Sequence, residues 1–453
     1  MVFHQQESQE LEHHYNNPAN EIVVLYGREE NGLSQVLQGF LKNKSYFYYR
    51  SRSCSSKLQL QLFYDEIRED LPKGMRFNAQ YPDILSAMLS VTCAKRIIVI
   101  DAFEHLLKAE PAFMDVLVST IHNKWNNQSV LFLLVSEDVT WVNREMVRTL
   151  GSNAYEISSV IPLKDATYRE LTSHFTAYDF VSKVMLYSVF GRHCGSYSRL
   201  DPNATLQENI CRTVLTKGGY FYEKSKRILP AECREPVVYH TLLYALAGKQ
   251  KLNDLHKLTG YDRAKISVYL KNLTEYGLVE KIESFDAPGH DNQQKGLYRI
   301  SDPFAAFYFH FIYPHESKLH VLEPERFYRR YIEPSLRSYA CSAYVDVCKE
   351  YLLTLQNNNE LDRSFADFST WYGKVGTIDI VSQNDDGQTL ICYCNFDKNK
   401  MSYADYEWNR YCMSQAKMKS DILYLFSQSS FEEKIKEEVK SDPSVVLIEG
   451  DWD

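Results

Sequence analysis

Short apolar runs alternate with helical spacing through the first 160 residues of the chain. Four runs predict buried strands, at 21–26, 45–49, 96–101 and 130–135. Segments 58–67, 81–91 and 111–121 carry apolar residues at helical intervals. Strands that are apolar on both faces are typical of a parallel sheet covered by helices on each side. The pattern therefore predicts an α/β fold with a doubly wound parallel sheet.

Residues 166–225 have a helical pattern, and a compact unit follows a linker at 228–236. Helices are predicted at 237–246, along a second segment with Leu252, Leu255 and Leu258 on one side, and at 264–276. Gly260 supplies the turn, and two short strands, at 278–279 and 297–300, flank a polar loop. Three helices followed by such a pair are the pattern of a winged helix-turn-helix.

The rest of the chain opens with an aromatic segment, DPFAAFYFHFIYP, at 302–314. We interpret it as core packing against the winged helix rather than as a platform for stacking bases. Strands are predicted at 377–381, 389–395 and 445–448, with a charged helix at 431–440. We therefore expect four domains, at 1–165, 166–232, 233–303 and 304–453.

Composition narrows the class of protein. The 453 residues include 51 Lys and Arg against 59 Asp and Glu, a formal charge of −8 that argues against a broad nucleic-acid footprint. The ten cysteines form no CxxC pair, and no signal peptide or membrane-length apolar run occurs. We expect a cytoplasmic protein without a membrane segment. Glycine is scarce, at 18 residues, so few points allow close approach of backbone to a phosphate.

The first candidate site follows the strand at 21–26. Gly27, Gly32 and Ser34 occupy the frame GxxxxGK[ST], in which backbone N–H groups hold phosphates at a helix N-terminus and the hydroxyl faces Mg²⁺. Leu33 stands at the lysine position. The alternative interpretation is a plain turn.

The second candidate is Asp101, at the end of the strand RIIVID. A carboxylate at the C-terminal edge of a central parallel strand is where the metal of a nucleotide is held. Ala102 follows, where hydrolysis needs a Glu, and Glu104 is expected to point elsewhere. A strand-terminal Asp is also a common helix cap.

In the order of these motifs the chain resembles archaeal and bacterial AAA+ (STAND-type) ATPases, in which a P-loop domain precedes a winged helix and a nuclease-like C-terminal domain. The resemblance rests on VVLYGR, RIIVID, VLFLLVS, YLKNLTEYGLVEKI and YRISDPFAAFYFHFIYP. It implies a helical lid after the ATPase core, and it assigns Ser136 to the family's sensor position. It also implies ATP or ADP with Mg²⁺ as the ligand of Gly27, Gly32, Ser34, Asp101 and Ser136.

The chain departs from the family at each catalytic motif. Glu29, Glu30 and Leu33 replace a basic phosphate loop, Ala102 replaces the catalytic Glu, and Gly191 stands where the lid has a Gly-Gly pair. The C-terminal domain resembles the PD-(D/E)xK nuclease fold and keeps its Asp as Asp379. The family's Glu-x-Lys corresponds to residues 393–395 and its helical Glu to Val345, with Asp346 one place late.

These losses predict inactive sites. Removing a charge aimed at the transferred phosphate typically costs about 3–4 kcal/mol of transition-state stabilisation, and removing a general base roughly 10²–10⁴-fold in rate. One remaining carboxylate is too few for a nuclease metal. We expect a catalytically inactive scaffold or regulatory protein, with a protein partner or homo-oligomeric assembly. An ATP/ADP-binding switch with little hydrolysis is the alternative.

A third hypothesis for the function is that the protein is a DNA-binding regulator. The third helix of the winged unit and the turn before it carry Arg263, Lys265 and Lys271 against Asp262 and Glu275. Proteins that make several phosphate contacts need more basic residues than this. The wing adds Asp286, His290 and Asp291 against Lys295. Protein docking and DNA binding therefore both stay open for this unit.

Overall fold

The computed structural model describes residues 3–71, 73, 78–91, 95–123, 129–229, 233–248, 251–286, 297–362, 364–365, 367–450 and 452. The chain divides into two units: unit 1 comprises 1–166 with 193–195, and unit 2 comprises 167–192 with 196–453. The finer division into four domains stays a prediction. Of the wing residues, His290, Asp291 and Lys295 lie outside the described residues.

Unit 1 is built on a five-stranded parallel sheet. Its strands are β1 Glu21–Tyr26, β2 Tyr46–Arg50, β3 Lys95–Asp101, β4 Ser129–Ser136 and β5 Ile157–Pro162. Their order across the sheet is β2-β3-β4-β1-β5, and every pairing is parallel. The predicted strands are confirmed to within a residue at each end, whereas β5 was not predicted as a strand.

Eight helices accompany the described part of this sheet. They are α1 Gln5–Asn16, α2 Leu33–Leu41, α3 Ser56–Asp70, α4 Tyr81–Ser90, α5 Phe103–Ala109, α6 Phe113–Asn123, α7 Val139–Arg144 and α8 Met146–Leu150. Short 3₁₀ turns occupy Glu29–Asn31 and Gly151–Glu156.

Alternate residues of each strand enter two separate cores. Val23 of β1 packs with residues of α1 and α2, while its neighbour Val24 packs with residues of α3 to α8. The same alternation places Val99 and Ile100 of β3 in the two different cores. Because both faces of β1, β3 and β4 are covered, these strands have no polar face, which explains their apolar runs.

Unit 2 begins with a mainly helical part. Its helices are α9 Tyr168–Thr172, α10 Phe180–Phe190, α11 Cys194–Tyr197 (which starts in the 193–195 segment of unit 1), α12 Leu206–Ile210 and α13 Tyr220–Ser225. A π-helical turn at Cys211–Leu215 continues α12.

The next part contains the elements predicted for the winged helix. They are α14 Pro236–Gly248, α15 Leu252–Thr259, α16 Arg263–Glu275, β6 Val279–Ile282 and β7 Leu297–Ile300, the two strands being antiparallel. All three leucines lie on α15, which ends at Thr259. Leu252 and Leu255 are buried, whereas Leu258 is 55 % exposed.

The aromatic segment is core, as predicted. Phe309 lies in one cluster with residues of α14 and α16, and Phe304, Phe307 and Phe311 are buried as well. The segment forms α17 Pro303–Phe307, a π-helical turn at Tyr308–Ile312 and a 3₁₀ turn at Tyr313–His315.

The C-terminal part of unit 2 holds a mixed sheet, β8 Ser369–Tyr372, β9 Thr377–Gln383, β10 Thr389–Asn395, β12 Ile422–Ser427 and β14 Val445–Glu449. Its order is β14-β12-β10-β9-β8, parallel from β10 to β14 and antiparallel from β8 to β10. Strands β11 Lys400–Met401 and β13 Ser430–Phe431 form a separate pair.

Six helices belong to the described residues of this C-terminal part. They are α18 Glu316–Leu319, α19 Pro324–Tyr331, α20 Glu333–Tyr339, α21 Cys341–Asn357, α22 Tyr403–Ala416 and α23 Glu433–Val439. Helix α21 packs on β9 and β10, while side chains of α22 and α23 join the core formed by the strands. In the described residues no helix combines the length and the apolarity needed to cross a bilayer.

Candidate functional site

The loop after β1 leads directly into α2. The amide of Gly27 donates to the carbonyl of Ser136 at 3.1 Å, which ties the loop to the end of β4. A 3₁₀ turn follows, and Gly32 takes a φ of +81° immediately before α2 begins. Such a left-handed residue costs glycine little and other residues about 1–2 kcal/mol, so Gly32 is the residue that allows this entry into the helix.

A carboxylate of the chain occupies the N-terminus of α2. The side-chain oxygen Oε2 of Glu29 accepts hydrogen bonds from the Ser34 hydroxyl at 2.8 Å and from the Ser34 amide at 3.3 Å. A helix N-terminus attracts anions because its first N–H groups lack intrahelical partners and the helix dipole is positive there. Glu29 therefore supplies the negative charge that this position favours.

The outer side of the loop is held by residues 193–195. The Nδ1 atom of His193 is 2.8 Å from Oδ1 of Asn31, and the Cys194 thiol donates to the Asn31 carbonyl at 2.8 Å. Asn31 is buried and also donates to the carbonyl of Leu163. A Cβ on Gly195 would lie 2.6 Å from the carbonyl oxygen of Glu30, so glycine is required for this approach.

Asp101 ends β3 in a fully bonded environment. Its Oδ2 accepts from the Tyr48 hydroxyl at 2.5 Å and from the Arg50 guanidinium at 3.0 Å, and its Oδ1 accepts from the Ala102 amide at 2.8 Å. The carboxylate is 5 % exposed. The parallel register places Arg50 of β2 beside Asp101, so the arginine is delivered by strand pairing.

Arg50 joins two carboxylates. Besides Asp101, its guanidinium donates to Oε1 of Glu137 at 2.7 Å. The hydrogen bond to Glu137 and then the charge of Asp101 raise the pKa of Arg50. Burial, followed by the hydrogen bond to Asp101, raises the pKa of the Tyr48 hydroxyl. Arg50 thus stays a cation and Tyr48 a neutral donor over the physiological pH range.

The residue after Asp101 has an unusual backbone. Ala102 adopts φ 50° and ψ 44°, the left-handed region that an L-residue with a Cβ disfavours. The backbone amide of Ala102 donates a hydrogen bond to Oδ1 of Asp101. Glu104, two residues on, is buried and does not line the cavity beside Asp101.

Ser136 ends β4 beside the loop. Its hydroxyl oxygen accepts from the Asp138 amide at 3.1 Å, and its carbonyl accepts from Gly27. The structure therefore brings all the predicted loop and strand-end residues to the C-terminal edge of one doubly wound parallel sheet, with the loop leading into a helix. This is the edge at which such sheets carry ligands. Unit 1 has a P-loop ATPase-like α/β fold. We call unit 1 the ATPase-like unit below.

One family model matches part of unit 2. Residues 308–407 match a family described as archaeal and bacterial proteins of unknown function, DUF234. An uncharacterized protein of Methanocaldococcus jannaschii is 20 % identical over 374 residues, covering 82 % of this chain and 81 % of that protein.

Two of the solved structures to which the chain is similar come from archaea. A Walker-type ATPase of Pyrococcus abyssi is 13 % identical, with a TM-score of 0.43, covering 68 % of this chain and 96 % of its own. The Aeropyrum pernix ORC2 protein, solved with ADPNP and ADP, is 16 % identical, with a TM-score of 0.41 and coverages of 71 % and 94 %.

The nuclease-like candidate, Asp379, lies on β9. Its Oδ2 accepts from the Cys394 amide at 2.8 Å. Burial raises the pKa of Asp379 to about 6, against the opposing effects of that hydrogen bond and of the Lys349 charge. Burial also lowers the pKa of Lys349 on α21. Lys349 is a charged neighbour of Asp379 that the sequence analysis did not identify.

The positions that correspond to Glu-x-Lys are occupied by residues with structural contacts. The Tyr393 hydroxyl donates to the carbonyl of Asn409 at 2.8 Å, and the Asn395 amide donates to the carbonyl of Lys398 at 3.1 Å. Asp346 lies 3.8 Å from the Arg192 guanidinium. Among the described residues, no group of three or more His, Cys, Asp or Glu has an arrangement that could hold a metal.

The three basic residues of α16 are exposed, and each has a partner. Arg263 donates to Oδ1 of Asn253 at 3.0 Å. The Lys265 ammonium lies over the rings of Tyr261 and Tyr269, and Lys271 lies 3.8 Å from Glu275. The helix therefore presents positive charge that is partly compensated by its own neighbours.

Two charged residues that surround Asp101 were not predicted from the sequence. Arg50 ends β2 and Glu137 follows β4, and in the sequence both are typical of ordinary surface charges. Aligning the ends of YFYYR and RIIVID as neighbouring parallel strands would have placed Arg50 beside Asp101. No comparable signal identifies Glu29 as a cap of α2, because that depends on the 3₁₀ turn before Gly32.

Proposed function

We propose that the chain is an AAA+ ATPase-like scaffold or regulatory protein that has lost nucleotide turnover. The observation that carries the proposal is the Glu29 carboxylate at the N-terminus of α2, bonded to the Ser34 amide and hydroxyl. In a working phosphate loop these groups are the donors to phosphate and the ligand of Mg²⁺. Here the negatively charged Glu29 side chain accepts hydrogen bonds from both Ser34 groups instead.

The second strand end supports the same conclusion. Arg50 pairs with Asp101 at 3.0 Å, so the carboxylate expected to hold Mg²⁺ is neutralised by an arginine. Leu33 supplies no charge toward a triphosphate, and Ala102 supplies no general base. The residues present do not fit a magnesium nucleotide, and we assign no catalytic step to it.

The nuclease-like part is included in the proposal. A metal-dependent nuclease needs several oxygen ligands, and Asp379 has neutral residues, Tyr393 and Asn395, where the family has its Glu and Lys. We therefore propose that this part, like the ATPase-like unit, serves assembly rather than phosphodiester cleavage.

A titration with labelled ATP and Mg²⁺ tests the proposal. We expect no saturable binding by the wild-type chain at micromolar concentration. The double variant Leu33→Lys, Glu29→Ala should gain affinity because it restores the cation and removes the competing carboxylate. The matched control, Leu33→Lys with Glu30→Ala, keeps Glu29 on Ser34 and should stay weaker. Circular dichroism confirms that each variant is folded.

Micromolar affinity of the wild-type chain for MgATP would overturn the proposal. It would favour the alternative, an ATP/ADP-binding switch that uses Gly27, Gly32, Ser34, Asp101 and Ser136. Turnover of ATP by the wild-type chain would overturn both.

A second candidate function is DNA binding through the part predicted as a winged helix. The observation in its favour is the exposure of Arg263, Lys265 and Lys271 on the single helix α16. A duplex-DNA mobility shift that weakens with salt, and is lost when all three become Ala, would support it. Absence of binding at low salt would remove it.

The scaffold proposal requires a partner, which we propose to be another protein or a second copy of this chain. Large side chains exposed on the ATPase-like unit include Tyr155, at 93 %, and Val147, at 64 %. Exposed aromatic residues are frequent anchors of protein interfaces. Light scattering during size exclusion tests self-association, and a monomer at high concentration would exclude it.

A further inference from the structure

A cavity of about 370 Å³ lies between α2 and the C-terminal edge of the sheet. It is within the size range of pockets that hold small molecules, near the lower end. One part of its lining is apolar or aromatic and the other is polar or charged. The lining includes Leu33, Leu37, Tyr46, Tyr48, Arg50 and Glu137.

The apolar part follows from the spacing of residues on two elements. Leu33, Leu37 and Leu41 recur every four residues and so share one face of α2. Tyr46 and Tyr48 alternate along β2 and share one face of that strand. Leu33 contributes to this wall at the very position where a phosphate loop has its lysine.

The charged part has an excess of one negative charge. The Arg50 guanidinium bonds to both Asp101 and Glu137, so one cation faces two carboxylates. Ser34, which also lines the cavity, is bonded to a further carboxylate, that of Glu29. The positive helix N-terminus, which would otherwise attract an anion, is thereby compensated.

We propose that this cavity binds a small organic cation with an apolar body, such as an aryl or alkyl amine or amidine. The cationic group is attracted by the uncompensated carboxylate charge, of which Glu137 is the more accessible source, with 41 % of its side chain exposed. The apolar body packs against the leucines of α2 and the tyrosines of β2. This inference does not depend on the scaffold proposal, because it concerns a ligand of opposite charge.

The experiment is a calorimetric titration of the full chain with benzamidine, and in parallel with benzoate and benzyl alcohol, which match its shape with negative or no charge. We expect benzamidine to bind at least about fivefold more tightly than either, as one charge pair near a protein surface would give. Equal or tighter binding of benzoate or benzyl alcohol, or no binding of benzamidine, would overturn the proposal.

Two variants locate the site. Glu137→Gln should weaken benzamidine binding about fivefold, while Glu66→Gln should leave it unchanged. Glu66 is a matched control because it is also part of an exposed Arg–Glu pair, with Arg52 at 2.6 Å, and does not line the cavity. Tyr46→Ala should also weaken benzamidine binding, because it removes an aromatic ring from the cavity wall. The variant should still fold, because the Tyr46 side chain is half exposed.

The outcomes separate this inference from the scaffold proposal. Unchanged affinity in Glu137→Gln and Tyr46→Ala would show that benzamidine binds elsewhere and would overturn the inference alone. Tight binding of MgATP that displaces benzamidine from this cavity would overturn the scaffold proposal while leaving the cavity as a ligand site.

Discussion

Two side chains of opposite charge act at neighbouring points of the ATPase-like unit. The Glu29 carboxylate bonds to Ser34 at the start of α2, and the Arg50 guanidinium bonds to Asp101 at the end of β3. A nucleotide with its metal would bring a negative charge to the first point and a positive charge to the second. The chain provides both charges itself. The Glu29–Ser34 and Arg50–Asp101 hydrogen bonds occupy the helix N-terminus and the carboxylate that would otherwise attract a ligand.

Removing the Glu29 carboxylate should expose the anion preference of α2. We predict that the Glu29→Ala variant is stabilised by inorganic phosphate, by about 1.4 kcal/mol when phosphate exceeds its dissociation constant roughly tenfold, whereas the wild type is not. Thermal unfolding with increasing phosphate measures the effect. The neighbouring variant Glu30→Ala is the control, and an equal response in both variants would contradict the role of Glu29.

Asp379 should make stability depend on pH. Its pKa is raised to about 6 by burial, from 3.8 in an exposed carboxyl group. The folded chain therefore keeps a proton that the unfolded chain releases, so stability falls as pH rises from about 4 to 6. The Asp379→Asn variant should escape this loss, with an advantage of up to about 3 kcal/mol at neutral pH.

Melting temperatures of wild type and Asp379→Asn between pH 4 and 7 check this prediction. The difference should grow in favour of the variant as pH rises. Asp442→Asn, which removes an exposed carboxylate bonded to Ser444, is the control and should show no such growth. A constant difference for Asp379→Asn would contradict the prediction.

At the scale of elements, strands were predictable and loop contacts were not. β1, β3 and β4 are buried on both faces, so their apolar runs identified them directly. β5 was missed because it is an edge strand with Ser158 and Val160 exposed, a pattern that resembles a loop. The strand-end pattern placed Asp101, whereas Ser136 was assigned by the family resemblance. Glu29 and Arg50 needed the turn and the register.

The segment 193–195 illustrates a contact that local pattern does not reveal. Gly195 approaches the loop backbone so closely that a Cβ would lie 2.6 Å from the Glu30 carbonyl oxygen. We predict that Gly195→Ala destabilises the ATPase-like unit by about 1–3 kcal/mol, because backbone must move to accept the methyl group. Denaturant unfolding followed by circular dichroism measures this.

Gly39→Ala provides the opposite case. Gly39 lies within α2, and a Cβ there would meet nothing within 4 Å. Alanine should therefore stabilise the helix by about 1 kcal/mol through its higher propensity. If Gly195→Ala were neutral or stabilising, as we expect for Gly39→Ala, the close contact of Gly195 with the loop would be contradicted.

At the scale of the whole molecule, the low glycine count contrasts with the loop after β1. The chain has 18 glycines in 453 residues, and the loop nevertheless keeps Gly27 and Gly32. Under our proposal, the backbone frame of the loop is kept, while Leu33 and Ala102 stand where the family that the chain resembles has its Lys and its catalytic Glu. The fold class could be predicted from the apolar pattern of the sequence. The ligand preference of the site could not, because it depends on single side chains and their hydrogen-bond partners.

The central claim is that the ATPase-like unit holds its own charges in place of a nucleotide. The most direct measurement is to purify the unmodified chain, denature it, and identify released nucleotide by chromatography with mass detection. Our account predicts that no ATP or ADP is released. Release of one equivalent of either nucleotide per chain would contradict it.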